Sequence, residues 1–320
     1  MLILSDKDIA TLLSFDEIID AVEAAMIAYE KGEAIVPQRI HVTHRENMLL
    51  CMPSLQEYYF GTKLVSVVPG NKNKNLPVTN GAMVLNETST GLPVALLNAS
   101  KLTALRTGAV GALSVRHLTP STETSFGLIG CGVQGLHQAI FVCAVRKISA
   151  VFYLDRSKEK SASLISFLSI HHPGVSAVPC QTTEELLQKT NIIIAATTSP
   201  VPVLGDDPDL LRDKHFISMG SYKPAMQELP DSVYRLAGQL VIDSGLARNE
   251  VGDIINPVKN GFIKETDVFA LGKVIRGERK VDVNKTTAFK SAGMALFDLF
   301  VAQAMYEKAL KMKRGTAVEF

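Results

Sequence analysis

The chain has 320 residues, which at about 150 residues per domain suggests two domains. Hydrophobic residues make up 47 %, enough for a sizeable core, and 33 basic residues face 32 acidic ones, so no nucleic-acid or anionic-membrane partner is indicated. No apolar run reaches the ~18 residues of a membrane span, and the start MLILSDKDIA carries Asp6 and Asp8 without a basic leader, so no signal peptide is expected.

The first element is a helix. Ser14 and Glu17 form a capping-box pattern, Phe15, Ile18, Ile19, Val22, Met26 and Tyr29 recur at helical spacing, and Gly32 ends the run. Five strand-like runs follow: PQRIHVTH, NMLLCMP, FGTKLVSVVP, VTNGAMVLNE and LPVALLNA. Their connections are too short for crossover helices, which is an antiparallel signature. His41 and His44 would point to opposite faces of the first strand, and with no third ligand nearby no metal site is expected. The helix SKLTALRTGAVGALSVRHL comes next, capped by Ser100 and stopped before Pro120.

From residue 121 strands alternate with helical patterns: TSFGLIG, AVFYLD, VSAVP, NIIIAAT, HFISMG and QLVIDS, with TTEELLQKT boxed by Thr182 and Glu185. Such alternation means a parallel sheet covered on both faces. The last long run, SAGMALFDLFVAQAMYEKALKMK, is expected to pack back on the first domain. The four cysteines, Cys51, Cys131, Cys143 and Cys180, contain no C-x-x-C pair and read as reduced thiols of a cytoplasmic protein.

Gly130, Gly132 and Gly135 spell G-x-G-x-x-G at the end of a strand and the start of a helix, and Asp155 follows twenty positions later at the end of AVFYLD. Together they are a dinucleotide fingerprint: a tight turn, a close backbone approach to the pyrophosphate, close packing of helix on strand, and free N–H groups at the helix start. Asp155 would accept from the ribose hydroxyls and repel a 2′-phosphate, which favours NAD, while Arg156 and Lys158 leave NADP open. Ligands of open α/β sheets lie beyond the carboxyl ends of the strands, which brings in Thr197, Thr198 and Ser199, then Met219, Gly220 and Ser221, and farther out Asp243 and Ser244. The small residues of SMGSY would leave room for the nicotinamide half.

A second reactant has to be held as well. Arg39, Lys63 and Arg106 interrupt three apolar segments of the first domain. A buried lone cation is expensive, so each needs a partner. Taken singly they read as surface charges or ion pairs; three together suggest a shared anionic ligand, a carboxylate above all.

At this point the chain resembles the ornithine cyclodeaminase / μ-crystallin family over almost its whole length. The stretches that carry the likeness include PQR, MP at 52–53, GTKLVSVVPGN, LPVTNGAMVLNETSTGLPVALLNASKLTALRTGAVGALSVRHL, GLIGCGVQG, GSYKPAMQEL and FKSAGMALFD. The resemblance implies an α/β fold: a Rossmann doubly wound parallel sheet, 119–290, plus a discontinuous dimerisation and substrate domain, 1–118 with 291–320. It places carboxylate binding on Arg39, Lys63 and Arg106. Cofactor contacts fall on Thr79, Arg106, Val133, Gln134, Asp155, Thr197 and the Met219–Ser221 turn.

Departures narrow the activity. Cyclodeaminases resemble GD-x-P-G-K-x-E-L where this chain, aligned on Pro224 and Glu228, has Tyr222, and they carry a Glu where this chain has Leu50. Two acids suited to a diamine are thus replaced by uncharged groups. The expectation is an NAD(P)H-dependent reductase of a cyclic imino acid, Δ1-pyrroline-2-carboxylate to L-proline. Lys63 handles the proton or polarises the imine, with Tyr222 or water as the other donor. Alternatives are an alanine dehydrogenase or other amino-acid dehydrogenase, an ornithine cyclodeaminase (a lyase), and a non-enzymatic, NADP-regulated ligand binder. The open strand edges of the first domain call for cover, so a homodimer through that domain is expected.

Overall fold

The computed structural model describes residues 1–319. The chain divides into two compact units, Met1–Arg106 with the stretch from Met294 onward, and Thr107–Gly293. The sequence reading ends the first domain where a helix ends at Leu118; the compact units divide inside that helix, Ala99–Leu118.

The first unit is built on one sheet. Its strands are β1 (Leu2–Leu4), β2 (Ile40–His44), β3 (Asn47–Leu55), β4 (Tyr59–Val67), β5 (Thr79–Glu87) and β6 (Pro93–Asn98). β2 to β6 form an antiparallel meander, and β1 lies parallel to β6 and pairs on its other side with the short strand Thr316–Ala317. Register decides which residues meet. Met52 pairs with Lys63 and Lys63 with Met83, so all three point to one face, and all are buried. The helix Ala295–Met312 packs over β3, β4 and β5 and against the helix Phe15–Lys31.

That earlier helix starts and stops as its sequence dictates. Glu17 N donates to Ser14 Oγ (3.2 Å), Ser14 N donates to Glu17 Oε2 (2.8 Å), and Gly32 closes the helix at φ 72°. The cap of Ala99–Leu118 differs from the expected Ser100. Asn98 Oδ1 accepts from Lys101 N at 2.9 Å, and Ser100 already lies in the first turn. Both are good cap residues, and the strand β6, which runs to Asn98, fixes the choice.

The second unit is an eight-stranded, wholly parallel sheet. Its strands are β7 (Ser125–Ile129), β8 (Ala150–Leu154), β9 (Ser176–Pro179), β10 (Ile192–Ala195), β11 (His215–Ser218), β12 (Leu240–Ile242), β13 (Val268–Ala270) and β14 (Thr287–Lys290), in the order β13-β12-β14-β11-β10-β7-β8-β9. β10 is buried at every residue, as a central strand covered on both faces must be. The order reverses between β7 and β10, which is where a doubly wound sheet opens a crevice at its carboxyl edge. β13 and β14 were not expected from the sequence. They are three and four residues long, and β14 ends on a buried lysine that reads as a surface residue.

Candidate active site

In the second unit the glycine turn follows β7. Gly130 has φ 94°, and a Cβ there would stand 2.6 Å from Ala196 O. A Cβ on Gly135 would stand 2.0 Å from Gly130 O, so the helix approaches the turn more closely than any side chain permits. Gly132, which caps the helix Val133–Val145, is the opposite case. A Cβ there would meet nothing within 4 Å, and no side chain caps the helix. The first N–H groups are therefore free for an anion in an open cradle. Val133 is exposed beside them, and the buried Gln134 Oε1 has no partner. Turned by half a rotation, that amide would present an N–H there. These features fit a dinucleotide pyrophosphate.

Asp155 ends the next strand, β8. Its Oδ2 accepts from Cys131 N at 2.6 Å and its Oδ1 from Ser157 N at 2.8 Å. The carboxylate thus ties the glycine turn to β8, and each oxygen keeps an acceptor direction for a ribose hydroxyl. Arg156 and Lys158 are both exposed.

Two further strand ends meet on one buried carboxylate. Thr197, after β10, and Gly220 with Ser221, after β11, all donate to Glu228. Ser199 closes its own loop, its hydroxyl donating to Val201 O at 2.6 Å. Met219 is partly buried and Ser221 buried, whereas Tyr222 is 56 % exposed with the Lys223 ammonium 5.3 Å from its ring centroid. Ser221 Oγ, Asp243 Oδ1 and Ser244 Oγ are buried polar atoms without partners, all at carboxyl ends of this sheet. Leaving a buried polar atom of this kind without a bond costs about 1–3 kcal/mol, so each is a candidate contact for a polar ligand group.

The basic residues lie in the first unit. Lys63 and Arg106 are 2 % and 6 % exposed, and both close on Asp298, which is fully buried. Lys63 Nζ donates to Asp298 Oδ2 at 2.6 Å and to Thr103 Oγ1 at 3.3 Å, and Arg106 Nε donates to Asp298 Oδ1 at 3.3 Å. Among the described residues the two terminal amino groups of Arg106 hold no protein acceptor, which leaves its fork for a ligand carboxylate. Burial pushes the Lys63 ammonium down to about 8, with the Asp298 charge pulling up against it and Arg106 and Arg39 pushing further down. Arg39 is thus near enough to act on Lys63 while only partly buried itself. Among the described residues one carboxylate, Asp298, faces both Lys63 and Arg106, so the pair keeps an excess positive charge. Leu50, two pairs along from Met52, shares the sheet face of Lys63. Thr79 stands exposed at the start of β5 in the same unit, its carbonyl 3.5 Å from Ser100 Oγ.

Asp298 is the residue that sequence reasoning missed. The signal was there: one acid inside the apolar run ALFDLFVA, and buried cations that each needed a partner. Glu228, Asp253 and Lys290 had no role in the sequence reading, beyond Glu228 as an alignment point.

A wholly parallel sheet with a glycine turn at its order reversal defines a dinucleotide-binding α/β protein. Over residues 1–313 the chain matches the Ornithine cyclodeaminase/mu-crystallin family, and it belongs to that family. It is 33 % identical over 330 residues, covering 100 % of both chains, to a Delta(1)-pyrroline-2-carboxylate reductase of Bacillus cereus. Among solved structures it is similar to the Thermococcus litoralis Delta(1)-pyrroline-2-carboxylate reductase in complex with NADH and L-proline, with a TM-score of 0.92, 33 % identity and coverage of 99 % of this chain and 100 % of that one. An archaeal alanine dehydrogenase dimer with bound NAD follows, with a TM-score of 0.91, 31 % identity and coverage of 100 % and 99 %.

Proposed function

We propose that the protein is an NADH-dependent reductase of a cyclic imino acid, converting Δ1-pyrroline-2-carboxylate to L-proline. The observation that carries this reading is the buried cluster of Lys63, Arg106 and Asp298, a cationic site for one carboxylate. Likeness over the full chain to a reductase of that name supports the substrate. The nicotinamide, when bound, supplies the hydride to the imine carbon. The chain's own residues do the rest. The free fork of Arg106 pairs with the substrate carboxylate in two-point geometry, and Arg39 adds charge to that pull. Lys63, held by Asp298 and Thr103, carries a proton that is easily given up near neutral pH, and it delivers that proton as the amine forms. Leu50 on the Lys63 face offers no counter-charge to a substrate ammonium. Asp155, whose carboxylate would repel a 2′-phosphate, supports NADH over NADPH.

Alanine dehydrogenase activity is the second reading, favoured by the likeness to the archaeal enzyme. It needs the same cluster and the same hydride step, with the imine formed from pyruvate and ammonia. A panel following nicotinamide absorbance separates the readings. Δ1-pyrroline-2-carboxylate with NADH is expected to turn over fastest, pyruvate with ammonium and the same imine with NADPH more slowly. Ornithine with NAD should release no ammonia. Robust ammonia release would restore the lyase, pyruvate as the best substrate would establish the dehydrogenase, and no turnover at all would leave a binding protein.

We also infer a homodimer. The outward face of the first unit's sheet carries Ile40, Val42, Leu49 and Leu64, exposed by 55, 51, 39 and 39 %. Register joins them, since Val42 pairs with Leu49, and Ile40 and Leu64 both pair with Cys51. A contiguous apolar face beside the bare edge strand β2 supports burial against a second copy. Light scattering at micromolar concentration should give twice the chain mass; the single-chain mass would reject the dimer. The four free cysteines support a reducing compartment, the cytoplasm.

A further inference from the structure

We propose that Glu228 is a positioning residue for the cofactor, a buried carboxylate that locks the carboxyl ends of β10 and β11 into the spacing the nicotinamide half requires. The proposal rests on the reading that these strand ends hold NADH.

The geometry is specific. Glu228 Oε1 accepts from Thr197 N at 2.8 Å and Thr197 Oγ1 at 2.9 Å, and Oε2 accepts from Gly220 N at 2.5 Å and Ser221 N at 3.2 Å. Ser218 Oγ stands 3.0 Å from Glu228 Oε2 and 3.2 Å from Asp253 Oδ2, with one proton to give to one of them. One carboxylate therefore satisfies backbone donors from two neighbouring strand ends. Those ends are in backbone contact as well, for a Cβ on Gly220 would stand 1.8 Å from Thr197 O. Only glycine fits there, and the loops cannot shift independently.

Glu228 is itself held from behind. Its N–H donates to Asp253 Oδ2 at 3.0 Å, its carbonyl accepts from Val203 N at 2.9 Å, and Tyr234 donates its hydroxyl to Asp253. Lys290 supplies the counter-charge. Its Nζ donates to Ser218 Oγ at 3.2 Å and to Ser221 O at 2.8 Å, and its ammonium feels both Glu228 and Asp253. Out of this frame comes Ser221 Oγ, buried and without a partner. A braced loop that ends in an unpartnered hydroxyl is arranged to meet a polar ligand group.

Glu228→Gln tests this. Glutamine keeps the size and one acceptor oxygen, but it turns an NH2 toward either Thr197 or the Gly220–Ser221 turn, where every facing backbone group is also a donor. The chain has no tryptophan, so NADH binding can be followed by the ligand's own fluorescence. The expected result is an NADH Kd raised by about tenfold or more, the equivalent of one lost charged hydrogen bond, with the imine KM at saturating NADH within about twofold of wild type. A lowered Tm with NADH Kd unchanged would make Glu228 a structural residue only and overturn the proposal. If the glutamine variant does not fold, Glu228→Asp keeps the charge but is too short to reach both loops. Weakening of NADH by about threefold or more supports the proposal, and no change overturns it. Failure of the wild type to bind NADH would remove the cofactor reading itself, an outcome distinct from unchanged binding in the variants.

Discussion

Asp298→Asn is expected to lower kcat/KM for imine reduction by about a hundredfold and to move the alkaline fall of the pH profile downward. The reasoning starts from charge. Among the described residues Asp298 is the carboxylate that pairs with Lys63 and Arg106, at 2.6 and 3.3 Å. Burial already holds Lys63 down at about 8, and Asp298 is the group that pulls it up. Without that pull the folded protein holds the Lys63 proton more weakly still. If reduction needs the ammonium, activity falls as pH rises through about 8 in wild type and at lower pH in the variant. The stability sign follows from the same shift. The folded value of about 8 lies below the ordinary 10.5, so Lys63 contributes stability that is full above 10.5 and is lost as pH falls through about 8. Between those limits this group makes Tm rise with pH. Asp298→Leu, which strands both cations in the core, should cost about 3–5 kcal/mol at neutral pH. A pH profile for Asp298→Asn that overlays wild type would sink the assignment of the proton to Lys63.

Arg106→Leu should lower kcat/KM by about two to three decades, the loss of a buried two-point contact of about 3–4 kcal/mol. Its Nε is committed to Asp298, and its two terminal amino groups face no protein acceptor among the described residues. Those are the groups that would hold the carboxylate. The loss should fall on the imine, through KM and kcat together, while NADH titration changes by no more than about twofold. Equal damage to both would mean that Arg106 supports the cofactor or the fold instead. Leucine also frees one side of Asp298, so a parallel Tm measurement separates lost recognition from lost packing.

Much of this was legible in the chain. The glycine fingerprint with Asp155 announced itself because each residue stands at a fixed offset in one local unit, and the strands β7 to β12 alternate with helices over short distances. The cations Arg39, Lys63 and Arg106 were visible as charges in apolar segments. Their partner was not, because Asp298 lies 235 and 192 residues from Lys63 and Arg106, and no local pattern links them. Glu228 was used only to align a loop, since a glutamate after PAMQ reads as solvated until the fold closes over it. β13 and β14 were lost to brevity, and the cap falls on Asn98, two residues before the expected Ser100, because the strand β6 runs to Asn98.

The salt bridge between Lys63 and Asp298 also bears on biosynthesis. The second unit is one continuous stretch, Thr107–Gly293, inserted between the two parts of the first. On the ribosome its whole sequence is made before Asp298 is added. A folded insert brings its own ends to a fixed separation, so the final helix need not search a random loop of that length to find the sheet. Until that helix docks, Lys63 and Arg106 have no counter-charge and the face of β3 to β5 has no cover. The first unit therefore depends on a segment made after the whole of the second, and the pairing of Lys63 and Arg106 with Asp298 waits for it.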